Sequence, residues 1–155
     1  MERFVNPVSK ASGVTLVVGN EILLAKRCEL WNGEPVPLAG YWSIFGGAIE
    51  KGESAMSCSI REMKEETGVD IEISDLSYIR DIFNDHSDGH TTQFTVYFSK
   101  NKSKPVIVLN DEHTEFKWFD INDIENFPYK IMDDLKDCII RYRCYLKDLK
   151  TKYGL

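Results

Sequence analysis

The chain has no apolar run long enough to cross a membrane and no Cys-x2-Cys pairing, and it lacks an excess of basic charge. A spanning helix needs about 20 consecutive apolar residues, so a helical membrane protein is excluded. The stretch from Met1 to Lys10 is polar and has no room for the apolar core of a secretory signal. The expectation is a cytoplasmic protein without a membrane partner. The cysteines, Cys28, Cys58, Cys138 and Cys144, read as reduced thiols rather than as a disulfide framework or a zinc site. With 19 Lys and Arg against 25 Asp and Glu, the formal net charge is −6. That balance argues against a general nucleic-acid binder, while leaving open a mononucleotide, or an RNA end gripped through a metal. His86 and His90 are four residues apart, but they lie in a turn-rich stretch, Asn84 to His90, and read as a connection rather than a metal pair.

What is present is enough for a proper core: 155 residues, 43% hydrophobic and 12% aromatic, read as one globular domain over residues 1–155. Val14 to Val18 and Ile22 to Ala25, joined around Gly19-Asn20, have the pattern of a hairpin. Trp42 to Phe45 reads as a strand leading into Gly46-Gly47. Leu76 to Phe83, Thr91 to Phe98 and Phe116 to Phe119 are further strand candidates. From Tyr129 to about Lys150, residues Ile131, Leu135, Ile139, Tyr142 and Leu146 recur near helical spacing. Strands, a helix, more strands and a final helix imply an α/β fold, a mixed sheet sandwiched between helices.

The densest chemistry lies between Gly47 and Val69. Gly47, Glu53, Arg61, Glu62, Met63, Glu65, Glu66, Gly68 and Val69 fit G-x5-E-x7-R-E-U-x-E-E-x-G-U, where U is a bulky aliphatic residue. A chance match in a chain this long is on the order of 10⁻⁷ or less on average residue usage. Ser54 is a suitable N-cap, no proline interrupts, and Gly68 sits where a left-handed residue would end a helix. At about 100° per residue, Glu62, Glu65 and Glu66 share one arc of roughly 100°. Met56, Ile60 and Met63 fall on the adjoining arc, which reads as the buried stripe. Like charges at this spacing repel, and a divalent cation removes the penalty. Oxygen ligands, with no thiolate or imidazole in the motif, favour a hard ion such as Mg²⁺ or Mn²⁺.

This spacing resembles the motif of the Nudix hydrolases. The resemblance implies the Nudix fold and Mg²⁺-dependent (or Mn²⁺-dependent) hydrolysis of a nucleoside diphosphate linked to another group. It implies that Glu62, Glu65 and Glu66 hold metal, that Glu53 pairs with Arg61, and that the Gly46 carbonyl also binds metal. Glu62 would either ligate metal or activate water. Arg27, at the end of Leu23-Leu24-Ala25-Lys26-Arg27, matches a strand-end arginine that faces substrate phosphates in relatives. Glu112 matches a further metal-binding carboxylate supplied by a loop, with Glu115 as its competitor. Phe45 stands where relatives commonly have proline.

The substrate is less legible. The proline or tyrosine that marks some branches about 15 residues after the motif is absent from Asn84 to His86. A small nucleotide substrate is expected, either a (deoxy)nucleoside triphosphate or a nucleotide sugar. The alternatives are a dinucleoside polyphosphate or RNA 5′-end pyrophosphohydrolase, and a non-catalytic ligand-binding module of the same fold. Residues 31–40 form a candidate lid or specificity loop. Many relatives are dimers, and Tyr142, Tyr145 and Tyr153 could serve a homodimer interface. Trp118 and Phe119 read as core rather than as base-stacking platforms.

Overall fold

Ile22 to Ala25 are consecutive apolar residues, the pattern of a strand covered on both faces rather than one. The computed structural model, which describes residues 8–154, bears this out. The polar residues 1–7 lie outside that description, as does the side chain of Trp31. The elements in chain order are β1 (Val8–Val18), β2 (Glu21–Arg27), β3 (Leu30–Trp31), β4 (Glu34–Pro35), β5 (Trp42–Ser43) and β6 (Phe45–Ala48). Then come α1 (Ala55–Thr67), β7 (Leu76–Asp85), β8 (Thr91–Asn101), β9 (His113–Asp120) and α2 (Asp133–Tyr153).

The main sheet runs β5-β2-β1-β8-β7, with β6 also pairing β1 and β9 also pairing β2. Strands β1 and β8 are parallel along their whole length, whereas β1–β2, β1–β6, β2–β9 and β7–β8 are antiparallel. The sheet is therefore mixed. On one face Val14, Leu16, Leu23, Ala25 and Phe45 pack with Met63 of α1. On the other, Ile22, Leu24, Val96 and Phe98 pack with Leu135, Ile139 and Tyr142 of α2. Each fully buried aliphatic or aromatic side chain stabilises such a sandwich by about 1.5–3 kcal/mol.

Three expectations shift. The final helix begins at Asp133 rather than Tyr129, because residues 129–131 run extended beside β5: the Trp42 N–H donates to the Lys130 carbonyl at 2.8 Å, and Tyr129 stacks on the Trp42 ring with centroids 5.1 Å apart. Asp133 and Asp134 then occupy the first turn of α2, where the helix dipole favours acids. The strand expected from Trp42 to Phe45 divides, since Trp42–Ser43 pairs β2 while Phe45–Ala48 crosses to β1. Tyr142 is buried against Phe98 and so belongs to the core, leaving Tyr145 and Tyr153 as the exposed aromatics of α2. The segment at 31–40 contains the small β3–β4 hairpin, turned at Asn32 and Gly33, with φ of 51° and 80°.

Candidate metal-binding active site

Helix α1 begins at Ser54, whose hydroxyl accepts the Ser57 N–H at 3.1 Å, and ends at Gly68, whose φ of 77° only glycine adopts freely. Its buried stripe docks Met63 on the sheet, and that docking carries Glu66 inward to 2% exposure. The segment before the helix approaches closely from the other side. A Cβ at Gly46 would lie 2.3 Å from the Ser12 carbonyl, and one at Gly47 would lie 2.4 Å from Glu62 Oε1. The glycines thus let the backbone run directly beside the Glu62 carboxylate.

Arg61 ties this corner together. Its Nε and Nη2 grip Glu53 at 2.8 and 2.9 Å, Nη1 donates to Glu62 at 3.0 Å, and Nη2 donates to the Ala48 carbonyl at 3.2 Å. The guanidinium holds the Glu53 carboxyl down at about 2 and is itself held protonated by that same bond. Glu65 lies on the outer edge of the arc, mostly exposed, with Arg61 Nη1 at 3.4 Å.

The second wall comes from the connection before β9. Val108 N–H donates to the Thr67 carbonyl at 2.9 Å and Asn110 N–H to the Glu66 carbonyl at 3.2 Å, so this connection is fastened to the last turn of α1. It delivers Glu112 and His113 to Glu66: one ligand atom from each lies within 4.8 Å of the others. Burial is the main cause that pushes the Glu66 carboxyl up to about 11, reinforced by Glu62 and Glu112 beside it. Burial, then the charge of Arg27, pushes the His113 imidazole down to about 4, so it is neutral at pH 7. Glu66 Oε2 and both ring nitrogens of His113 are buried without a hydrogen-bond partner. Buried polar atoms are nearly always paired. Crowded acids with orphaned ligand atoms fit a divalent cation.

The NUDIX domain family model matches residues 8–140. The chain belongs to this family. Among its relatives, a Bacillus subtilis protein named as the uncharacterized Nudix hydrolase YvcI is 31% identical over 93 residues, 59% of each chain. The Pseudomonas putida NAD-capped RNA hydrolase NudC is 27% identical over 121 residues, covering 78% of this chain and 40% of that protein. The chain thus spans less than two thirds of the length of either. The crystal structure of a MutT protein from Methanosarcina mazei superposes with a TM-score of 0.74 at 20% identity, covering 92% and 97% of the two chains. That likeness shows the Nudix fold.

Within the Nudix motif, the structure brings Glu62 and Glu66 together with Glu112, while Glu65 lies to the solvent side. Glu115 is turned away, in register with Lys26 across the β2–β9 pair. Arg27 ends β2; its Nε donates to the Pro37 carbonyl at 3.1 Å. With Leu38, Ile44, Gly46, Asn84 and Phe94 it lines a cavity of about 150 Å³ that reaches Gly46, the residue before the glycine that abuts Glu62. The sequence reading missed His113 as a site residue. Its only signal was adjacency to Glu112 at the start of a strand, where alternation turns one of two neighbours inward. No helix among the described residues is long and apolar enough to cross a membrane.

Proposed function

We propose that residues 1–155 act as one divalent-metal-dependent pyrophosphohydrolase domain, cleaving a small nucleoside-diphosphate-linked compound, a nucleoside triphosphate or a nucleotide sugar, by water attack on phosphorus. The observation that carries this reading is the convergence of Glu62, Glu66 and Glu112 on one buried corner beside Gly47, with a Glu66 oxygen left unpartnered. Glu62, Glu66, Glu112 and the Gly46 carbonyl would hold Mg²⁺ or Mn²⁺, with Glu65 at the outer edge. The bound ion would supply charge neutralisation on the phosphate oxygens and a more acidic water.

The chain's own residues do the rest. Arg61 and Glu53 are positioning residues, since their fork fixes the Glu62 carboxylate without reaching the cradle themselves. Glu62, half-buried and aligned by Arg61, is suited to accept the proton of the attacking water. Arg27 stands at the cavity rim, where its charge would meet phosphate oxygens. The cavity volume of about 150 Å³ suits one flat ring rather than a whole nucleotide. A base would sit there, with the phosphates outside.

The relative named as an NAD-capped RNA hydrolase favours a second reading, cleavage of the pyrophosphate in a dinucleotide end. A panel of nucleoside triphosphates, nucleotide sugars, dinucleoside polyphosphates, NAD and capped RNA, assayed with Mg²⁺ and with Mn²⁺, separates the two. Turnover confined to the small nucleotides supports the first reading, and turnover confined to NAD or capped RNA supports the second. Nucleotide binding without turnover on any member would leave a binding module.

A further inference from the structure

His113 is 5% exposed, its ring lies edge-on to Phe45 with centroids 5.1 Å apart, and neither ring nitrogen has a hydrogen-bond partner. An imidazole buried with both nitrogens unsatisfied is costly unless something occupies one of them. Nδ1 stands 3.7 Å from Glu66 Oε1. That is longer than a hydrogen bond of about 2.7–3.2 Å. Two donors that each bind one ion at about 2.0–2.2 Å can stand at most about 4.4 Å apart, so a single ion can reach both. Nor is the pairing an accident of a loose loop. Glu112 donates its N–H to Asn110 Oδ1 at 3.0 Å and its carbonyl accepts the Cys28 N–H at 2.9 Å, while His113 is in register with Arg27 of β2.

We propose that His113 is a nitrogen ligand of the metal centre, making it a mixed carboxylate and imidazole site in which the nitrogen raises affinity most for Zn²⁺, less for Mn²⁺ and least for Mg²⁺. This rests on the metal site of the proposed function and deepens it. All-oxygen sites suit Mg²⁺, whereas a nitrogen donor adds affinity for borderline ions and little for a hard one. That gradation is thus set by a residue outside the motif.

The test uses the full chain with Mn²⁺ alone, read by pulsed electron paramagnetic resonance. The three histidines are His86, His90 and His113, so the double variant His86→Asn/His90→Asn leaves one imidazole. The expected result is a directly bound ¹⁴N coupling in the wild type and in that double variant, replaced by a ¹⁵N coupling when histidine is labelled. His113→Gln should remove it, and by titration calorimetry should weaken Zn²⁺ by about tenfold or more, Mn²⁺ by a smaller factor, and Mg²⁺ by less than about threefold. Bound Mn²⁺ with no nitrogen coupling in the wild type would overturn the inference while leaving the carboxylate site standing. Loss of the coupling in the double variant would overturn it too, by assigning the nitrogen to the exposed pair. Absence of any Mn²⁺ uptake would remove the metal site itself.

Discussion

Glu62 and Glu66 are one helical turn apart, yet their surroundings assign them different work. Glu66 is sealed against the sheet, where burial favours its neutral form until a cation arrives, while Glu62 stays half-buried beside the Arg61 guanidinium. Glu62→Gln keeps the size and the packing but removes a base or ligand oxygen; steady-state turnover should fall at least about 10²-fold with an unchanged melting temperature. Near wild-type turnover would remove Glu62 from the centre. The two glycines before the helix should separate in the same way. Gly47→Ala meets only the tip of the Glu62 side chain, so it should spare the fold and cost activity by displacing that carboxylate. Gly46→Ala meets the backbone of Ser12 and Gly13, so it should lower the melting temperature as well. Equal melting temperatures for both variants would contradict this account of the close approach.

At the scale of elements, the helix carrying the motif was legible because its signals are local: a serine cap, a glycine stop, and acids and apolar residues on adjoining arcs. The start of α2 was not legible. Tyr129 and Ile131 fit the helical spacing of Leu135, Ile139 and Tyr142, and only the stacking on Trp42 and the pairing with β5 show that they run extended. His113 was hidden for a related reason, since the partner that gives it meaning, Glu66, is distant in sequence and adjacent only once β9 is laid beside β2. A distant ion pair also fixes α2. Arg143 bonds Glu125 and donates to the Ile121 carbonyl at 3.3 Å, clasping the turn at 121–126 to the helix. The bond from Arg143 is the chief cause holding the Glu125 carboxyl at about 2 rather than 4.5. A lowered acid contributes stability that is full above pH 4.5 and is lost as pH falls towards 2. Arg143→Met should therefore melt below the wild type at pH 7, and the gap should close near pH 2. A gap that persists undiminished in acid would show that the pair is not its source.

At the scale of the whole molecule, the mixed sheet serves to bring one corner together. Parallel pairing of β1 with β8 leaves the β1 edge free to receive β6, which sets Gly46 and Gly47 over α1, while β9 on the far side of β2 presents Glu112 and His113. The strand pattern in the sequence showed that such a sheet exists, and the motif showed that carboxylates gather on one helix. Neither showed the order of strands, because pairing partners in β1 and β8, such as Val8 and Thr91, lie 83 residues apart in the sequence. The central claim is that this corner is a cation cradle with Glu66 at its base. The most direct measurement is titration calorimetry of the metal-stripped chain with Mn²⁺ and Mg²⁺, for the wild type and for Glu66→Gln. Saturable uptake by the wild type, weakened about tenfold or more in a variant that remains folded, is the predicted result. No uptake by the wild type, or equal uptake by both, would contradict it.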